Sequence, residues 1–337
     1  MVAEGMACHN FTPLLPVNEF KVREVEFADL EKVKALSEGI YTGTDYTNSV
    51  LEQWLEDDKW YPFCIETNTG EIVGFTALNL IDGDTSVVER SSRIAHLFRG
   101  KGMYKTMLEF ALAEVKKKFP TLENIIRERI TDVKIPVGYT SQKLVTKFAL
   151  QCDTNKVISL HCSPKQKAPF SQFEEAMISF KELAKCYKTN EVLRSLFPMN
   201  LLTIEGEIFD ITNKSNINRL QSRTEILLFL SRCFPASNTE KMAVSILNLE
   251  PKQTNEGLPC ANFDVQSNDA TMATYELRRA LNLVSCLMLN AKFNLNISIN
   301  GKHEKYFKKF IEDELPHCTV VTAFKMQIIK GSLSNEK

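Results

Sequence analysis

Residues 93–108, RIAHLFRGKGMYKTML, constrain this chain more than any other stretch. An apolar strand end is followed at once by Arg99-Gly100-Lys101-Gly102. A run with helical spacing comes next, with Tyr104, Leu108, Ala111, Leu112 and Val115 on one face, until Pro120 ends it. A strand that stops directly before a glycine turn leaves the first amides of the following helix unpaired and pointing outward. Together with the positive end of the helix dipole those amides attract an anion, and glycine lets the backbone approach it closely. Arg99 and Lys101 add charge at the rim, so the turn could hold a pyrophosphate. The plainer alternative is a basic glycine turn that only caps a helix.

Two phosphate motifs are excluded by spacing. Met103 rather than lysine follows Gly102, which breaks the triphosphate pattern G-x-x-x-x-G-K-[S/T]. Lys105 stands where the dinucleotide fingerprint G-x-G-x-x-G needs its third glycine. Charge narrows the partners: Lys+Arg 41 against Asp+Glu 42 gives a net charge of -1, so no global field draws nucleic acid or an anionic membrane. The expected partner is a small molecule, and the sequence sets no oligomeric state. The nine cysteines are scattered singly without a C-x-x-C pair, which reads as reduced thiols in a cytoplasmic compartment with no metal site. No segment reaches the roughly 18–20 apolar residues of a membrane helix, so a soluble protein is expected.

At 337 residues and a prior of about 150 per domain, two domains are expected. The first, 18–162, opens with the alternating strand FKVREVEF and a helix carrying Leu30, Val33, Leu36 and Ile40. A second helix carries Val50, Leu51, Trp54 and Leu55. The strands YPFCIET and EIVGFTALNLI form a hairpin through Asn68-Thr69-Gly70, and Asp82-Gly83-Asp84 leads into TSVVERSSRIAH. After the glycine turn and its helix come LENIIRERI, an irregular segment with Pro136, Gly138 and Tyr139, and a closing hairpin of KLVTKFALQ with KVISLHC. This order predicts an α/β (α+β) fold with a mixed, twisted sheet and helices on its faces.

Residues 163–170 form the linker, and the second domain is 171–337. There Ser171 and Glu174 are spaced as a capping box, with Phe173, Met177, Phe180, Ala184 and Tyr187 on one helical face. The β-like LLTIEGEIFDI follows, then a helix over residues 226–233. The strands MAVSILNLE and CANFDVQ precede a long helix through Leu277, Leu281 and Val284, then FNLNISI, a helix over 303–315, and TVVTAFKMQII. The late order repeats that of the first half, but Ser267-Asn268-Asp269-Ala270 replaces the glycine turn. A carboxylate there repels phosphate and caps the helix itself, so one anion site per chain is expected.

Arg99-Gly100-Lys101-Gly102-Met103-Tyr104 resembles R-x-x-G-x-small, the pyrophosphate loop of the acyl-CoA N-acyltransferase (GNAT) superfamily. Ile40-Tyr41-Thr42-Gly43-Thr44-Asp45-Tyr46, Trp54-Leu55, residues 81–85, Val88-Glu89, Arg93-Ile94-Ala95 and residues 144–147 together look like the vertebrate histidine N-acetyltransferases. The resemblance implies a GNAT-type sheet with helices on both faces, followed by a second, degenerate GNAT-like domain. It implies an N-acetyltransferase with acetyl-CoA as acyl donor, and an amino acid or similar small amine as acceptor. Arg99, Gly100, Lys101, Gly102, Met103 and Tyr104 would hold the pyrophosphate, and the amides of Arg93, Ile94 and Ala95 would polarise the thioester carbonyl. Glu89 is the candidate base or water holder, Tyr139 the candidate acid, and Asp45 and Tyr46 flank the acceptor. Arg90, Arg127 and Arg129 are candidates for an acceptor carboxylate. Against each stands a plain reading: Glu89 as a solvated strand residue, Tyr139 as a packed loop aromatic, Asp45 and Tyr46 as local caps. Two departures favour a catalytically inactive CoA-binding or scaffold protein instead. Tyr104 replaces a small residue, and Gln142 stands where the family's tyrosine falls.

Overall fold

The computed structural model describes residues 20–36, 47–130, 139–153, 173–197, 200–204, 207–223, 225–233, 240–253, 259–287 and 292–333. Two compact units divide the chain, and neither is contiguous in sequence. One comprises residues 1–38, 50–79 and 89–120, the other 39–49, 80–88 and 121–337. The expected linker, 163–170, lies outside the described residues.

In the first unit the strands β1 (Phe20–Glu24), β2 (Trp60–Thr67), β3 (Ile72–Ile81) and β4 (Ser86–Ile94) follow one another in the sheet. β1–β2 and β2–β3 are antiparallel, and the Asn68-Thr69-Gly70 hairpin forms as its sequence predicts. Every residue of β3 is buried, as a continuous apolar run requires of a central strand. Gly74 within it is obligatory for packing, since a Cβ there would stand 2.4 Å from Ile65 and 2.7 Å from Ile94. Helix α1 (Leu30–Ala35) is entered through Asp29, whose carboxylate accepts the Glu26 amide and both arms of the Arg23 guanidinium at 2.6 and 2.9 Å. Helix α2 (Thr47–Glu56) buries Val50, Leu51 and Trp54, and Trp54 stacks on Trp60 with centroids 4.1 Å apart. Helix α3 (Met103–Lys118) buries Met103, Met107, Leu108, Ala111, Leu112 and Val115, each large apolar side chain contributing roughly 1.5–3 kcal/mol. Met107 closes a cluster with Ile65 and Val73.

The second unit holds β5 (Asn124–Ile130), β6 (Tyr139–Asp153), β7 (Phe173–Met177), β10 (Ile226–Cys233), β11 (Lys241–Gln253), β12 (Pro259–Ser267), β13 (Lys292–Asn300) and β14 (Thr319–Ser332). Their sheet order is β5-β14-β6-β13-β12-β11-β10-β7, so the last strand inserts between β5 and β6. β12 and β13 are parallel, as a connection through helix α7 (Ala270–Leu287) demands. β8 (Leu201–Ile204) and β9 (Glu207–Asp210) form a separate hairpin. Four more helices, α4 (Phe180–Thr189), α5 (Glu191–Leu196), α6 (Lys214–Gln221) and α8 (Glu304–Glu314), complete the unit. One core gathers α4, α5, α6, β8 and β9 around Phe197, Leu202 and Phe209. Another gathers α7 and α8 around Phe263, Phe293 and Phe307. Asn216 of α6 fixes the Asp82 turn: its amide oxygen accepts the Asp82 N–H at 2.9 Å, and its amide nitrogen donates to the Asp82 carboxylate at 2.5 Å.

Three sequence expectations are corrected. Residues 226–233 form strand β10, not a helix, because an apolar run with no polar face fits either state and both edges find antiparallel partners in β11 and β7. The capping box is Ser179/Glu182, eight residues past the expected pair, so Phe173 to Met177 is a strand while Phe180 and Tyr187 keep their helical face. Finally β6 does not close a hairpin with KVISLHC, since β14 and β13 occupy both its edges over residues 145–151. Helices α5 and α6 had no sequence expectation. The late order, strand, strand, long helix, strand, helix, strand, is as expected.

Candidate active site

The glycine turn has the geometry its sequence calls for. Gly100 and Gly102 take φ of 75° and 79°, the left-handed region that costs a side-chain-bearing residue roughly 1–2 kcal/mol. A Cβ on either would meet nothing within 4 Å, so the space beyond the turn is open. Gly102 immediately precedes α3 and offers no capping side chain, and the first turn carries no acidic residue. The first helical bond runs from the Thr106 amide to the Gly102 carbonyl at 3.2 Å, which leaves the amides of Met103, Tyr104 and Lys105 ahead of it. Arg99 folds its Nε onto the Ile94 carbonyl at 2.9 Å, and the Lys101 ammonium stands 5.3 Å over the Phe98 ring. An uncapped helix end with two basic side chains beside it has the local charge and free amide donors that attract an anion. Met103 is buried against the sheet and supplies its backbone only.

The corresponding turn of the second unit is closed. The Asp269 carboxylate accepts the amides of Thr271 and Met272 at 2.9 and 3.0 Å and pairs with Lys241 at 2.8 Å. Burial opposes its ionisation, but Lys241 and the helix amides hold it below the usual carboxylate range. The chain's own anion thus occupies the end of α7, as Asn268-Asp269 predicts.

Along β4 the strand amides divide. The Ala95 N–H is already bonded to the Val73 carbonyl at 2.8 Å, so its amide does not serve an acyl carbonyl as the sequence reading expected. Alternation then turns the Ile94 amide away from β3, with Arg93 on the same side as Ala95. Ser91 has φ 53°, a left-handed residue inside a strand, and it interrupts the alternation. In a regular strand Glu89 and Ser92, three apart, would face opposite sides. Here Ser92 Oγ donates to Glu89 Oε1 at 2.5 Å. Because that takes its one hydrogen, Thr76, at 2.8 Å, donates to Ser92. Tyr104 Oη lies 2.6 and 2.8 Å from the two Glu89 oxygens. The carboxylate is 9% exposed and held by two hydroxyls, so it is not a solvated strand residue. Ser92, Thr76 and the reach of Tyr104 were invisible to spacing, since the irregularity at Ser91 brings Ser92 to Glu89 and α3 brings Tyr104.

The other expected residues fall as follows. Tyr139 is the first residue of β6 rather than part of an irregular segment. Its ring lies under the Arg127 guanidinium at 4.8 Å and against Gly331, where a Cβ would stand 2.7 Å from it. Arg90 and Arg127 are buried. Asp45 and Tyr46, and the side chains of Arg129 and Gln142, lie outside the described residues. His96 is exposed, and burial pushes the Cys64 thiol up to about 12, as befits a core filler.

No family model matches the chain. Among curated proteins it is similar to a histidine N-acetyltransferase of Oreochromis niloticus, 26% identical over 155 residues, which cover 40% of this chain and 45% of that protein. It is similar also to the probable N-acetyltransferase 16 of Homo sapiens, 30% identical over 119 residues, covering 35% of this chain and 32% of that one. The chain thus matches less than half the length of these relatives. Among solved structures it resembles a tandem GNAT protein from the clavulanic acid biosynthesis pathway, TM-score 0.52 at 8% identity, over 93% of this chain and 98% of that one. It also resembles a GCN5-related glucosamine N-acetyltransferase region of a fungal multi-domain β-N-acetylglucosaminidase, TM-score 0.50 at 12% identity, over 94% of this chain and 38% of that one. The chain has a tandem GNAT fold, and its sequence resembles the histidine N-acetyltransferases.

Proposed function

We propose that this protein is an acetyl-CoA-dependent N-acetyltransferase acting on the amino group of a free amino acid, histidine or one like it, or of a similar small amine. The observation that carries the reading is the uncapped, glycine-entered start of α3, which follows a strand that holds a buried carboxylate after the short turn His96–Phe98. Residues 18–162 form the catalytic domain in this reading. Residues 163–170 link it to a degenerate partner, 171–337, and the protein works in the cytoplasm.

Acetyl-CoA supplies an acyl thioester. The amides of Met103 and Tyr104, with those of residues 100–102, fit its pyrophosphate, because the open space beyond Gly100 and Gly102 admits a phosphate at backbone distance, while the Arg99 amide is taken by the His96 carbonyl at 3.3 Å. The Ile94 amide polarises the carbonyl. Glu89 takes a proton from the acceptor ammonium, directly or through a water, so that the free amine attacks the carbonyl carbon. The C–N bond forms, the C–S bond breaks, the departing thiolate receives a proton from Tyr139, and the second proton lost by the acylated nitrogen restores the Tyr139 phenol through solvent. No covalent enzyme intermediate is involved, and one of Arg90, Arg127 and Arg129 receives the acceptor carboxylate.

One observation favours the inactive alternative: the Tyr104 hydroxyl sits on both oxygens of Glu89, where an acceptor would need to reach. Incubation with acetyl-CoA and an amino-acid mixture, followed by measurement of released thiol, separates the readings. Release with an amino acid supports the enzyme. CoA binding without release for any amine leaves the CoA-binding protein.

A further inference from the structure

Two thiols meet in the second unit, far in sequence from one another. Cys152, 1% exposed near the end of β6, and Cys318, half-buried just ahead of β14, have sulfurs 3.0 Å apart. β6 and β14 are antiparallel, with Leu150 opposite Val320 and Gln151 opposite Thr319. One further step in that register sets Cys152 directly opposite Cys318. Facing residues of an antiparallel pair have α-carbons about 4.5–5.5 Å apart, inside the roughly 4.4–6.8 Å that a disulfide spans. Both residues are free thiols in this structure.

We propose that Cys152 and Cys318 are a reversible redox pair, closing to a disulfide that fastens the start of the last strand to β6. The two sulfurs play different parts. Cys318 is the accessible one, and its hydrogen bond with Cys152 lowers its pKa, while the same bond and burial raise that of Cys152. Cys318 therefore meets the oxidant first. With glutathione disulfide, the Cys318 thiolate attacks one sulfur and expels one glutathione thiolate. Cys152 gives up its proton to solvent and attacks the Cys318 sulfur, releasing the second glutathione. Two protein thiols become one disulfide, one small disulfide becomes two thiols, and two electrons pass between them. The bond would join residues 166 apart, so it removes a large amount of freedom from the unfolded chain.

The full-length chain, equilibrated in glutathione buffers from reducing to oxidising, alkylated and then digested, gives the test by mass spectrometry. The expected product is a linked pair of peptides containing Cys152 and Cys318, lighter by two hydrogens and restored by dithiothreitol. The oxidised protein should melt several degrees higher, and Cys318→Ser should lose both the linked peptide and the difference between buffers. Recovery of Cys318 only as a mixed disulfide with glutathione, or as a free thiol where the other cysteines have oxidised, overturns the proposal. Mapping on the unaltered chain decides even if Cys318→Ser does not fold. No outcome depends on acetyl transfer.

Discussion

Replacing Gly102 by alanine separates the backbone's own preference from the ligand's need. At φ 79° and ψ -6° the new Cβ costs roughly 1–2 kcal/mol of left-handed strain, partly offset by the freedom that glycine had in the unfolded chain. Nothing in the protein lies within 4 Å of that Cβ, so packing adds no further penalty. At about 2–4 °C per kcal/mol the melting temperature should fall by roughly 1–5 °C. If the open space is where a pyrophosphate lies, the Cβ pushes it off the α3 amides. Loss of one charge-assisted hydrogen bond, about 1.5–3 kcal/mol, weakens CoA binding roughly 10- to 150-fold. Gly83 supplies the control: it too is left-handed, at φ 68°, with nothing within 4 Å of a Cβ, and it sits in the β3–β4 turn. Gly83→Ala should lose similar stability and leave CoA affinity unchanged. Scanning fluorimetry and calorimetric titration with CoA measure both quantities. Wild-type affinity in a folded Gly102→Ala protein, or equal loss in both variants, would refute the phosphate cradle.

Calorimetry on the unaltered chain should give one CoA per chain, because Asp269 and Lys241 close the second helix end; two sites would sink that account. Tyr139→Phe keeps the ring under Arg127 and should leave stability nearly unchanged while lowering kcat by about 10²–10⁴-fold if the phenol is the acid; an unchanged kcat removes Tyr139 from the mechanism. Tyr104→Phe should free the Glu89 carboxylate of one hydroxyl, lowering the acceptor KM if Tyr104 obstructs the base, and steady-state kinetics at saturating acetyl-CoA reads this directly. The Arg23 guanidinium holds the buried Asp29 carboxyl below its usual range, so this group stabilises the fold above about pH 4 and the contribution is lost as pH falls further. Asp29→Asn should cost roughly 1–3 kcal/mol at neutral pH and flatten the acid limb of a stability titration, and an unaltered limb would contradict the assignment.

The sequence by itself determined the elements whose signal is local. Arg99-Gly100-Lys101-Gly102 required a left-handed turn and an uncapped helix, and Asn268-Asp269 required a self-capped one, because these conformations depend on residues a few positions apart. The late order of strand, strand, long helix, strand, helix, strand was legible for the same reason. Tertiary structure decided whatever depended on distant partners. Residues 226–233 became a strand because β7 and β11 offered both edges, a choice that their largely apolar sequence left open. The last strand took the place beside β6 that KVISLHC was expected to fill, since register with β5 and β6 is set by segments nearly two hundred residues away. In the site, Glu89 gained Ser92 through one residue, Ser91, whose left-handed backbone reset the facing of β4, and it gained Tyr104 from α3. Strand facing has a period of two, so a single irregularity moves every later side chain to the other side, and composition carries no trace of it.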